Sequence, residues 1–310
     1  MDNIISGRQK KIRLSRIVDS DAFTAWLFLA PFLILWIVWF FYPFIQSFLI
    51  SFQAFDFSQM EKARFIGLDN YKTLLFNNPE FYSAIGHTVT IAAIAVPVQT
   101  FLALVIAIAL NRKIAGRAVF RTTYIMPNII SGIAAATVFM VLFRKDMIFT
   151  QVMSLLGFPN ETWTARPELA LTFVIVLYIW QQIGFFMIIY LAGLQSIPRE
   201  LYEAATVDGA GSLKQFLYVT IPMLKPVTFF IVSVGTIQSF QIFDQIAAIS
   251  RYGKLGSPAD ATTTLITYFF THGFRYPDEM GLGCASVVIF LIIIFSITLV
   301  QKKLLEDREG

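Results

Sequence analysis

The stretch AWLFLAPFLILWIVWFFYPFI, residues 25–45, carries no charged side chain over 21 residues. A helix needs roughly 20 apolar residues to cross a hydrocarbon core of about 30 Å, so this run predicts a membrane-spanning helix. The basic segment MDNIISGRQKKIRLSR precedes it, as in a signal peptide. The apolar run is longer than the core of a signal peptide and no small-residue cleavage site follows it, so we expect a retained first helix.

The rest of the chain has the same apolar character. Of its 310 residues, 56% are hydrophobic and 14% are charged, whereas a soluble domain carries about 25% charged residues. Six apolar stretches are long enough to cross a membrane, at about residues 23–48, 88–110, 124–143, 169–194, 221–247 and 281–300. The sequence therefore predicts an all-α polytopic membrane protein with six transmembrane helices.

The distribution of lysine and arginine predicts the orientation of these helices. If the N-terminus is cytoplasmic, the cytoplasmic segments hold fifteen of the 24 basic residues and the outer segments hold nine. We therefore expect both termini on the cytoplasmic side. The predicted organisation is a cytoplasmic N-terminal segment at 1–21, a transmembrane domain at 22–301 with a cytoplasmic loop at about 195–217, and a cytoplasmic tail at 302–310.

The sequence lacks the residue patterns that several kinds of binding and catalysis require. No lysine–arginine block is interleaved with aromatic residues, so nucleic acid is not an expected partner. The single cysteine, Cys284, cannot form an intrachain disulfide, and His87 and His272 have no ligand-spaced neighbours, so we expect no metal site. The motifs G-x-x-x-x-G-K-[ST], H-E-x-x-H and G-x-S-x-G are absent, so we expect no ATP hydrolysis by this chain and no catalytic residues.

The loop between the fourth and fifth apolar stretches reads QSIPRELYEAATVDGAGSLKQFLYVTIPMLKP. Ser196 is a predicted N-cap, and Pro198 falls in the first turn, where its missing N–H does no harm. The glycines of DGAG at 208–211 end this helix, and the capping-box spacing of Ser212 and Gln215 starts another. The loop is either an ordinary solvated connection or a low-profile surface that another protein can approach.

This loop resembles the EAA loop of ABC importer permeases. EAA at 203–205, three residues and then Gly209 match the start of that motif, and VTIP at 219–222 matches its I-x-L-P end with two aliphatic departures. DGAG at 208–211 is similar to the carbohydrate-type permeases, the group that includes the maltose and glycerol-3-phosphate importers. FIGLDNYKTLL, TTYIMPNIISGIAAATVFMVLF and GSPADATTTLITYFF extend the similarity over nearly the whole chain.

The resemblance implies a type I ABC importer permease fold, in which this loop forms a coupling helix that docks in a groove on the ATPase subunit. The residues that it assigns to this contact are Glu203, Ala204, Ala205, Asp208 and Gly209. It also implies the partners: a second homologous permease subunit, a cytoplasmic ABC ATPase dimer that carries ATP and Mg, an extracytoplasmic solute-binding protein, and membrane lipid. No cofactor is expected on this chain.

The implied function is that of a membrane-spanning permease subunit of an ATP-driven, binding-protein-dependent importer. Its solute would be a sugar or oligosaccharide, and its location a bacterial or archaeal plasma membrane. A glycerol-phosphate-type solute is an alternative within the same group. An ion-coupled secondary transporter and an integral-membrane transferase are alternatives from other classes, but they need titratable groups that the apolar stretches largely lack.

Polar residues in the fourth and fifth apolar stretches are candidates for the substrate pathway, because polar groups in a membrane are costly and often functional. The candidates are Gln181, Gln182, Gly184, Gln238, Gln241 and Asp244. Gln238 and Gln241 are three residues apart, so a helix would place them on one face, and the resemblance implies amides that face sugar there. Asp244 is expected near the outer mouth. The alternatives are hydrogen bonds between helices for the amides and a plain interfacial charge for Asp244.

Overall fold

A computed structural model describes residues 21–112, 115–250 and 254–306, and most of them are helical. The helices, in chain order, are α1 (Asp21–Trp36), α2 (Tyr42–Ile50), α3 (Asp69–Asn77), α4 (Pro79–Asn111), α5 (Arg117–Ile129), α6 (Gly132–Leu142), α7 (Ile148–Leu155), α8 (Pro167–Ser196), α9 (Arg199–Val207), α10 (Ser212–Gln215), α11 (Ile221–Met223), α12 (Lys225–Phe240), α13 (Asp244–Ile249), α14 (Leu265–Phe270) and α15 (Met280–Glu306). Shorter elements are π-helical segments at Ile37–Phe41, Phe216–Thr220 and Thr271–Arg275, 3₁₀ turns at Phe57–Lys62, Trp163–Ala165 and Pro277–Glu279, and the antiparallel pair β1 (Gln53–Ala54) and β2 (Arg64–Phe65). The all-α prediction is confirmed.

The predicted spans are present in the structure. Five helical stretches are long and apolar enough to cross a membrane: Thr24–Ile50, Pro79–Asn111, Pro167–Ser196, Lys225–Ile249 and Pro277–Leu304. A bent pair, α5 with α6, passes the same test and brings the total to six if it is counted as one span. The predicted N-terminal segment at 1–21 lies outside the described residues except for residue 21, and the predicted tail at 302–310 is described up to residue 306.

The third predicted span is not one helix, which corrects the expectation of a continuous helix at 124–143. α5 ends at Ile129, α6 begins at Gly132, and the two helices are bent by 101°. Pro127 has no N–H to continue the helical ladder, and Ile130 and Ser131 are extended, with ψ of 137° and 135°. The chain therefore turns sharply inside the apolar stretch.

The fifth predicted span is also interrupted. α12 begins only at Lys225 and ends at Phe240, and α13 begins at Asp244. Gln241 has a φ of −101° and a ψ of 14°, so it lies past the end of α12. Gln241 is the C-cap of α12, and its N–H donates to the Gln238 carbonyl at 3.1 Å, so the predicted pair lies in the last turn of this helix and not within a continuous span.

Helices α4 and α8 form the centre of the bundle and pack against each other. α12 packs against α4, α5 against α8, and α15 against α12. Ala95, Ala103 and Ala107 of α4 are fully buried, so small side chains let the helices approach closely. Phe186 and Tyr190 of α8 are buried in the same cluster as Ala103 and Ala107.

The first span is the least covered of the six. None of the side chains between Thr24 and Phe41 is buried, and Phe28 and Trp39 are 78% and 71% exposed. The second half of this span, α2, packs against α15. A large exposed apolar surface of this kind belongs in lipid or against another membrane subunit.

Candidate functional site

The 197–224 loop, between α8 and α12, contains the residues predicted to contact an ATPase. Its helix α9 starts after Pro198, because a proline disfavours the helical conformation in the residue before it, and Ile197 is accordingly extended, with a ψ of 122°. Ser196 is instead the last residue of α8, and its Oγ donates to the Gly193 carbonyl at 2.8 Å. The prediction that Ser196 caps α9 is therefore wrong.

A glycine turn closes the C-terminus of α9. Gly209 has a φ of +78°. The Gly209 N–H donates to the Thr206 carbonyl at 3.0 Å, and the Ala210 N–H donates to the Ala205 carbonyl at 2.8 Å. This pair of bonds is the Schellman motif, which satisfies the last carbonyls of a helix and places a left-handed residue at the turn. A residue with a Cβ would be strained there by about 1–2 kcal/mol.

Side-chain hydrogen bonds tie this loop into one unit. The predicted capping box is wrong, because α10 begins one residue early, with Gly211 at its N-cap and no side-chain cap. Gln215 instead donates from Nε2 to Thr206 Oγ1 at 2.9 Å, which holds α10 against α9. The Tyr202 hydroxyl lies 2.9 Å from Thr220 Oγ1 and links α9 to the π-helical segment before α12. Hydrogen bonds therefore link α9 to α10 and to the segment that leads into α12.

The surface of this loop combines charged, small and apolar residues. The predicted contact residues Glu203, Ala204, Asp208 and Gly209 are exposed, and Ala205 is half-buried. Beside them, Val207 and Leu213 are 87% and 71% exposed. Their exposure agrees with a surface that another protein covers. Sequence reasoning missed Val207 and Leu213, although each interrupts a polar segment.

The residues that line a cavity beside the loop show which helix ends lie together. Its volume is about 590 Å³, and its lining includes Asn111 at the end of α4, Arg112 after it, Leu194 of α8, Tyr202 and Gln215. The C-terminal ends of α4 and α8 therefore lie at the end of the bundle that carries the loop, which we call the loop end. The starts of these two helices lie at the opposite end.

Gln181 and Gln182, which are predicted for the substrate pathway, lie beside the break between α5 and α6, and each is hydrogen-bonded to another amide. Asn128, in the last turn of α5, donates from Nδ2 to Gln182 Oε1 at 2.9 Å. Gln245 of α13 donates from Nε2 to Gln181 Oε1 at 2.7 Å. These four residues from three helices are called the amide cluster. Sequence reasoning missed Asn128 and Gln245, although both are polar residues in apolar stretches, next to Pro127 and to the candidate Asp244.

Two other predicted residues flank the amide cluster. Gly184 faces the backbone of α5, where there is no room for a side chain. Asp244 is exposed at the start of α13, and its Cβ would lie 2.7 Å from a Cβ placed on Gly132, so it sits at the N-terminus of α6. The first turn of a helix favours a negative charge, which gives Asp244 a structural role at this junction.

The last two predicted residues, Gln238 and Gln241, are not hydrogen-bonded members of the cluster. Gln238 is half-buried, and its Oε1 is buried without a hydrogen-bond partner. Gln241 is exposed. The hydrogen-bonded members of the cluster are thus neutral amides, which supply donors and acceptors, and the carboxylate of Asp244 lies beside them.

At the opposite end of the bundle, His272 lies between two carboxylates. It is 7% exposed, its Nδ1 is hydrogen-bonded to the carboxylate of Glu279, and its Nε2 lies 3.8 Å from Glu80 Oε2. Burial lowers the pKa of His272, but the nearby carboxylates of Glu80 and Glu279 outweigh it, so the pKa lies above its ordinary value. The imidazole thereby joins the start of α4 to the segment before α15.

The sequence profile of a known family matches most of this chain. The family is described as the binding-protein-dependent transport system inner membrane component, and the match spans residues 76–308, which include the 197–224 loop and the amide cluster. The chain belongs to this family. The permease is therefore a membrane-spanning subunit of an ABC importer, and ATP is hydrolysed by a separate subunit.

Named relatives align with the permease over almost its whole length. It is 34% identical over 288 residues to the arabinooligosaccharides transport system permease protein AraP of Bacillus subtilis, which covers 92% of this chain and 89% of that protein. It is 30% identical over 301 residues to the sn-glycerol-3-phosphate transport system permease protein UgpA of Pectobacterium atrosepticum, covering 95% of this chain and 98% of that protein.

A solved structure shows the same fold. A chain of a bacterial ABC transporter involved in the import of the acidic polysaccharide alginate superposes with a TM-score of 0.78, at 21% identity, over 96% of the permease and 100% of that chain. The type I importer permease fold implied by the loop sequence is thus confirmed.

Proposed function

We propose that this permease is one of two membrane subunits of an ATP-driven importer for a neutral sugar or oligosaccharide. The observation that carries this substrate class is the amide cluster, four uncharged side chains at the break of a membrane span. Amides offer both donors and acceptors, which suits the hydroxyl groups of a saccharide. The 34% identity to an arabinooligosaccharide permease supports the same class.

A glycerol-phosphate-type solute is the second candidate, and the 30% identity to an sn-glycerol-3-phosphate permease favours it. A phosphate group is usually bound by arginine or lysine, whose charged donors match its oxygens. None of the four members of the amide cluster is basic. The neutral saccharide is therefore the better fit to this site.

We assign the 197–224 loop to the contact with a cytoplasmic ATPase dimer. The contact residues are Glu203, Ala204, Ala205, Asp208 and Gly209, and the exposed Val207 and Leu213 extend the surface. The loop is also connected to the pathway, because the Tyr202–Thr220 contact joins α9 to the segment that precedes α12. A movement imposed on α9 would thus be passed to α12.

The other partners and the location follow from the same assignment. A second permease subunit would cover the apolar side chains of α1, which are exposed in the isolated chain. A solute-binding protein would deliver the solute to the end of the bundle that holds His272. ATP and Mg would bind to the ATPase, and this chain would need no cofactor. The complex would lie in a bacterial or archaeal plasma membrane, among its lipids, with both termini of the permease in the cytoplasm.

Reconstitution tests this function. The permease, its paired membrane subunit, the ATPase and the binding protein are assembled in proteoliposomes, and uptake of radiolabelled arabinotriose is compared with that of sn-glycerol-3-phosphate. We expect saccharide uptake that requires ATP on one side and binding protein on the other. Uptake driven by an ion gradient without ATP would refute the importer mechanism. Preferred uptake of glycerol phosphate would refute the saccharide assignment.

A further inference from the structure

Four polar side chains on α4 and α12 have buried atoms without a hydrogen-bond partner. They are Gln99 and Thr100 on α4, and Ser233 and Gln238 on α12. Gln99 is the extreme case, since it is fully buried and neither its Oε1 nor its Nε2 has a partner. An unpaired amide inside a membrane span is costly, and polar residues that persist there are usually functional.

Gln99 lies directly against the backbone of α12. A Cβ on Gly235 would lie 2.7 Å from Gln99 Nε2 and 3.4 Å from a ring carbon of Phe186. The lack of a side chain at Gly235 therefore lets α12 cover the Gln99 amide where α4, α8 and α12 meet. Gln238 follows Gly235 by three residues, so it lies on the same face of α12, one turn further from the loop end.

This contact lies near the middle of the membrane span. Gln99 is 12 residues from the end of α4 at Asn111, and Gly235 is ten residues from the start of α12 at Lys225. At about 1.5 Å per residue, both lie roughly 15–18 Å from the loop end, about half of a 30 Å hydrocarbon core. Gln181 of the amide cluster lies about 22 Å from that end by the same measure. Gln99 is therefore between the amide cluster and the loop end.

The helix that contains α12 is irregular at both ends. The π-helical segment Phe216–Thr220 and a turn at Leu224, whose backbone stays helical, precede α12, and the chain leaves the helix after Phe240. A π-helical segment and a helix end of this kind can absorb backbone rotation. Because the 197–224 loop is joined to the start of α12, a displacement of the loop would shift α12 relative to α4 and uncover Gln99.

We propose that Gln99 is a further solute-contacting residue of the translocation pathway, covered by Gly235 in this conformation and exposed together with Gln238 when α12 moves away from α4. The proposal rests on the importer function proposed above. Gln99 would meet hydroxyl groups of the solute, because a glutamine amide both donates and accepts hydrogen bonds. Gln99 and Gln238 would form an inner step of the pathway, after the amide cluster.

Gln301 provides a matched control on another side of α12. Its Nε2 donates to Thr236 Oγ1 at 2.8 Å, and Thr236 follows Gly235 directly, so the Gln301 amide lies at about the same depth as Gly235. It lines a groove of about 280 Å³ whose other lining residues are mainly apolar, among them Val96 and Ile297. The same residue type thus occurs at a similar depth, but at a surface for which we propose no solute contact.

Cysteine accessibility tests the proposal, because Cys284 is the sole cysteine and can be replaced by serine. Gln99→Cys, Gln238→Cys and Gln301→Cys are each introduced into the Cys284→Ser chain, assembled with the partners in proteoliposomes, and treated with a charged methanethiosulfonate reagent. We expect ATP, binding protein and arabinotriose together to raise the modification rate of Gln99→Cys and Gln238→Cys about tenfold or more, and that of Gln301→Cys less than about twofold.

Each other outcome is informative. A rise at Gln238→Cys without a rise at Gln99→Cys would overturn the proposal and leave Gln99 as a packing residue. An equal rise at Gln301→Cys would indicate general loosening of the bundle and would also overturn it. Loss of ATP-driven uptake by the unmutated complex, in contrast, would reject the proposed importer function itself.

A second comparison applies if Gln99→Cys does not assemble. Gln99→Asn keeps the amide, whereas Gln99→Met keeps the length and volume of the side chain. A pathway contact predicts at least about fivefold more uptake per assembled complex for Gln99→Asn than for Gln99→Met, because only the amide can pair with a solute hydroxyl. The reverse order would assign Gln99 to packing and overturn the proposal.

Discussion

Gly184 of α8 lies so close to Tyr124 of α5 that a Cβ at position 184 would be 1.8 Å from the Tyr124 carbonyl oxygen. The two helices therefore touch backbone to backbone, about one turn before the break in the third span. Asn128 follows Tyr124 by four residues and Gln182 precedes Gly184 by two, so this contact sets the position of the hydrogen bond between the two amides. A glycine that fixes a helix contact thereby supports the amide cluster.

Gly184→Ala should destabilise the permease, because the added methyl group fits only if α5 moves away from α8. Overpacking of this kind costs about 1–3 kcal/mol. Gly86→Ala is the matched control, since Gly86 is also helical but has nothing within 4 Å of its Cβ position. It should be neutral or stabilising by up to about 1 kcal/mol, from helix propensity. Thermal unfolding in detergent measures both variants, and equal melting temperatures would contradict this prediction.

Gly209→Ala should weaken the coupling of ATP hydrolysis to uptake. Neither Gly209 nor Gly211 has an atom within 4 Å of its Cβ position, but their φ angles are +78° and −69°. Alanine is therefore strained by about 1–2 kcal/mol at 209 only. We expect Gly209→Ala to assemble but to import less solute per ATP hydrolysed, while Gly211→Ala remains close to wild type. Equal losses in the two variants would show that the left-handed turn is not the cause.

The spans are more predictable from the sequence than their ends are. A long apolar run in a membrane must be helical, because only a helix satisfies its own backbone there. Whether the helix continues past a proline depends on its neighbours, and for this reason the sequence does not distinguish a bend at Pro127 from a break. The end of α12 before Gln241 is equally a tertiary effect, since no glycine or proline marks it.

The 197–224 loop and the amide cluster also differ in how far the sequence predicts them. The turn at Gly209 is local, so one helix and one glycine are enough to predict it. Gln181 and Gln182 stand out as polar residues in an apolar run, but their partners Gln245 and Asn128 are 64 and 54 residues away. A single sequence does not reveal which amides pair across such a separation, so the cluster becomes visible only in three dimensions.

His272 should make the stability of the permease depend on pH. Burial lowers its pKa, but Glu80 and Glu279 outweigh burial and raise the pKa above the ordinary value. A raised folded-state pKa means that the stabilisation is fully present below the unfolded-state value of about 6.5 and is lost as the pH rises through the folded-state value. We expect a loss of only about 1 kcal/mol, because the two carboxylates are 46% and 41% exposed and solvent screens their charges.

His272→Gln isolates this effect, because glutamine keeps a polar side chain of similar reach but does not titrate. The melting temperature of the wild type should fall relative to that of His272→Gln as the pH is raised from about 6 to 8. Tyr268, whose ring centroid is 4.0 Å from the imidazole, and Arg275 and Tyr276 of the same region are unchanged in this comparison. A difference between the two proteins that is independent of pH would argue against the charged imidazole.

The orientation of the permease can be measured with single cysteines in the Cys284→Ser chain. Lys72 and Lys145 are exposed and are predicted to lie outside, whereas Lys214 is exposed on the loop assigned to the ATPase. A membrane-impermeant maleimide should therefore label Lys72→Cys and Lys145→Cys in intact cells, and Lys214→Cys only after permeabilisation. Labelling in the opposite pattern would invert the predicted topology and remove the loop from the cytoplasm.

Gln238→Leu should separate a role in the pathway from a role in folding. The Oε1 of Gln238 is buried without a hydrogen-bond partner, so leucine removes an unpaired polar atom and the complex should still assemble. A solute hydroxyl that meets this position would lose its partner, which costs about 1–3 kcal/mol, or roughly five- to 150-fold in affinity. Uptake of arabinotriose at low concentration, normalised to assembled complex, should fall by that factor.

Gln181→Leu is the matched comparison for this last prediction, because Gln181 does have a partner. Its Oε1 accepts a hydrogen bond from Gln245 at 2.7 Å, so leucine leaves the Gln245 amide unpaired between α8 and α13. We expect Gln181→Leu to lose assembled complex as well as uptake, since an unpaired buried donor destabilises the fold. If Gln238→Leu instead imports arabinotriose at the wild-type rate per complex, Gln238 does not contact the solute, and the solute contacts must lie on helices other than α12.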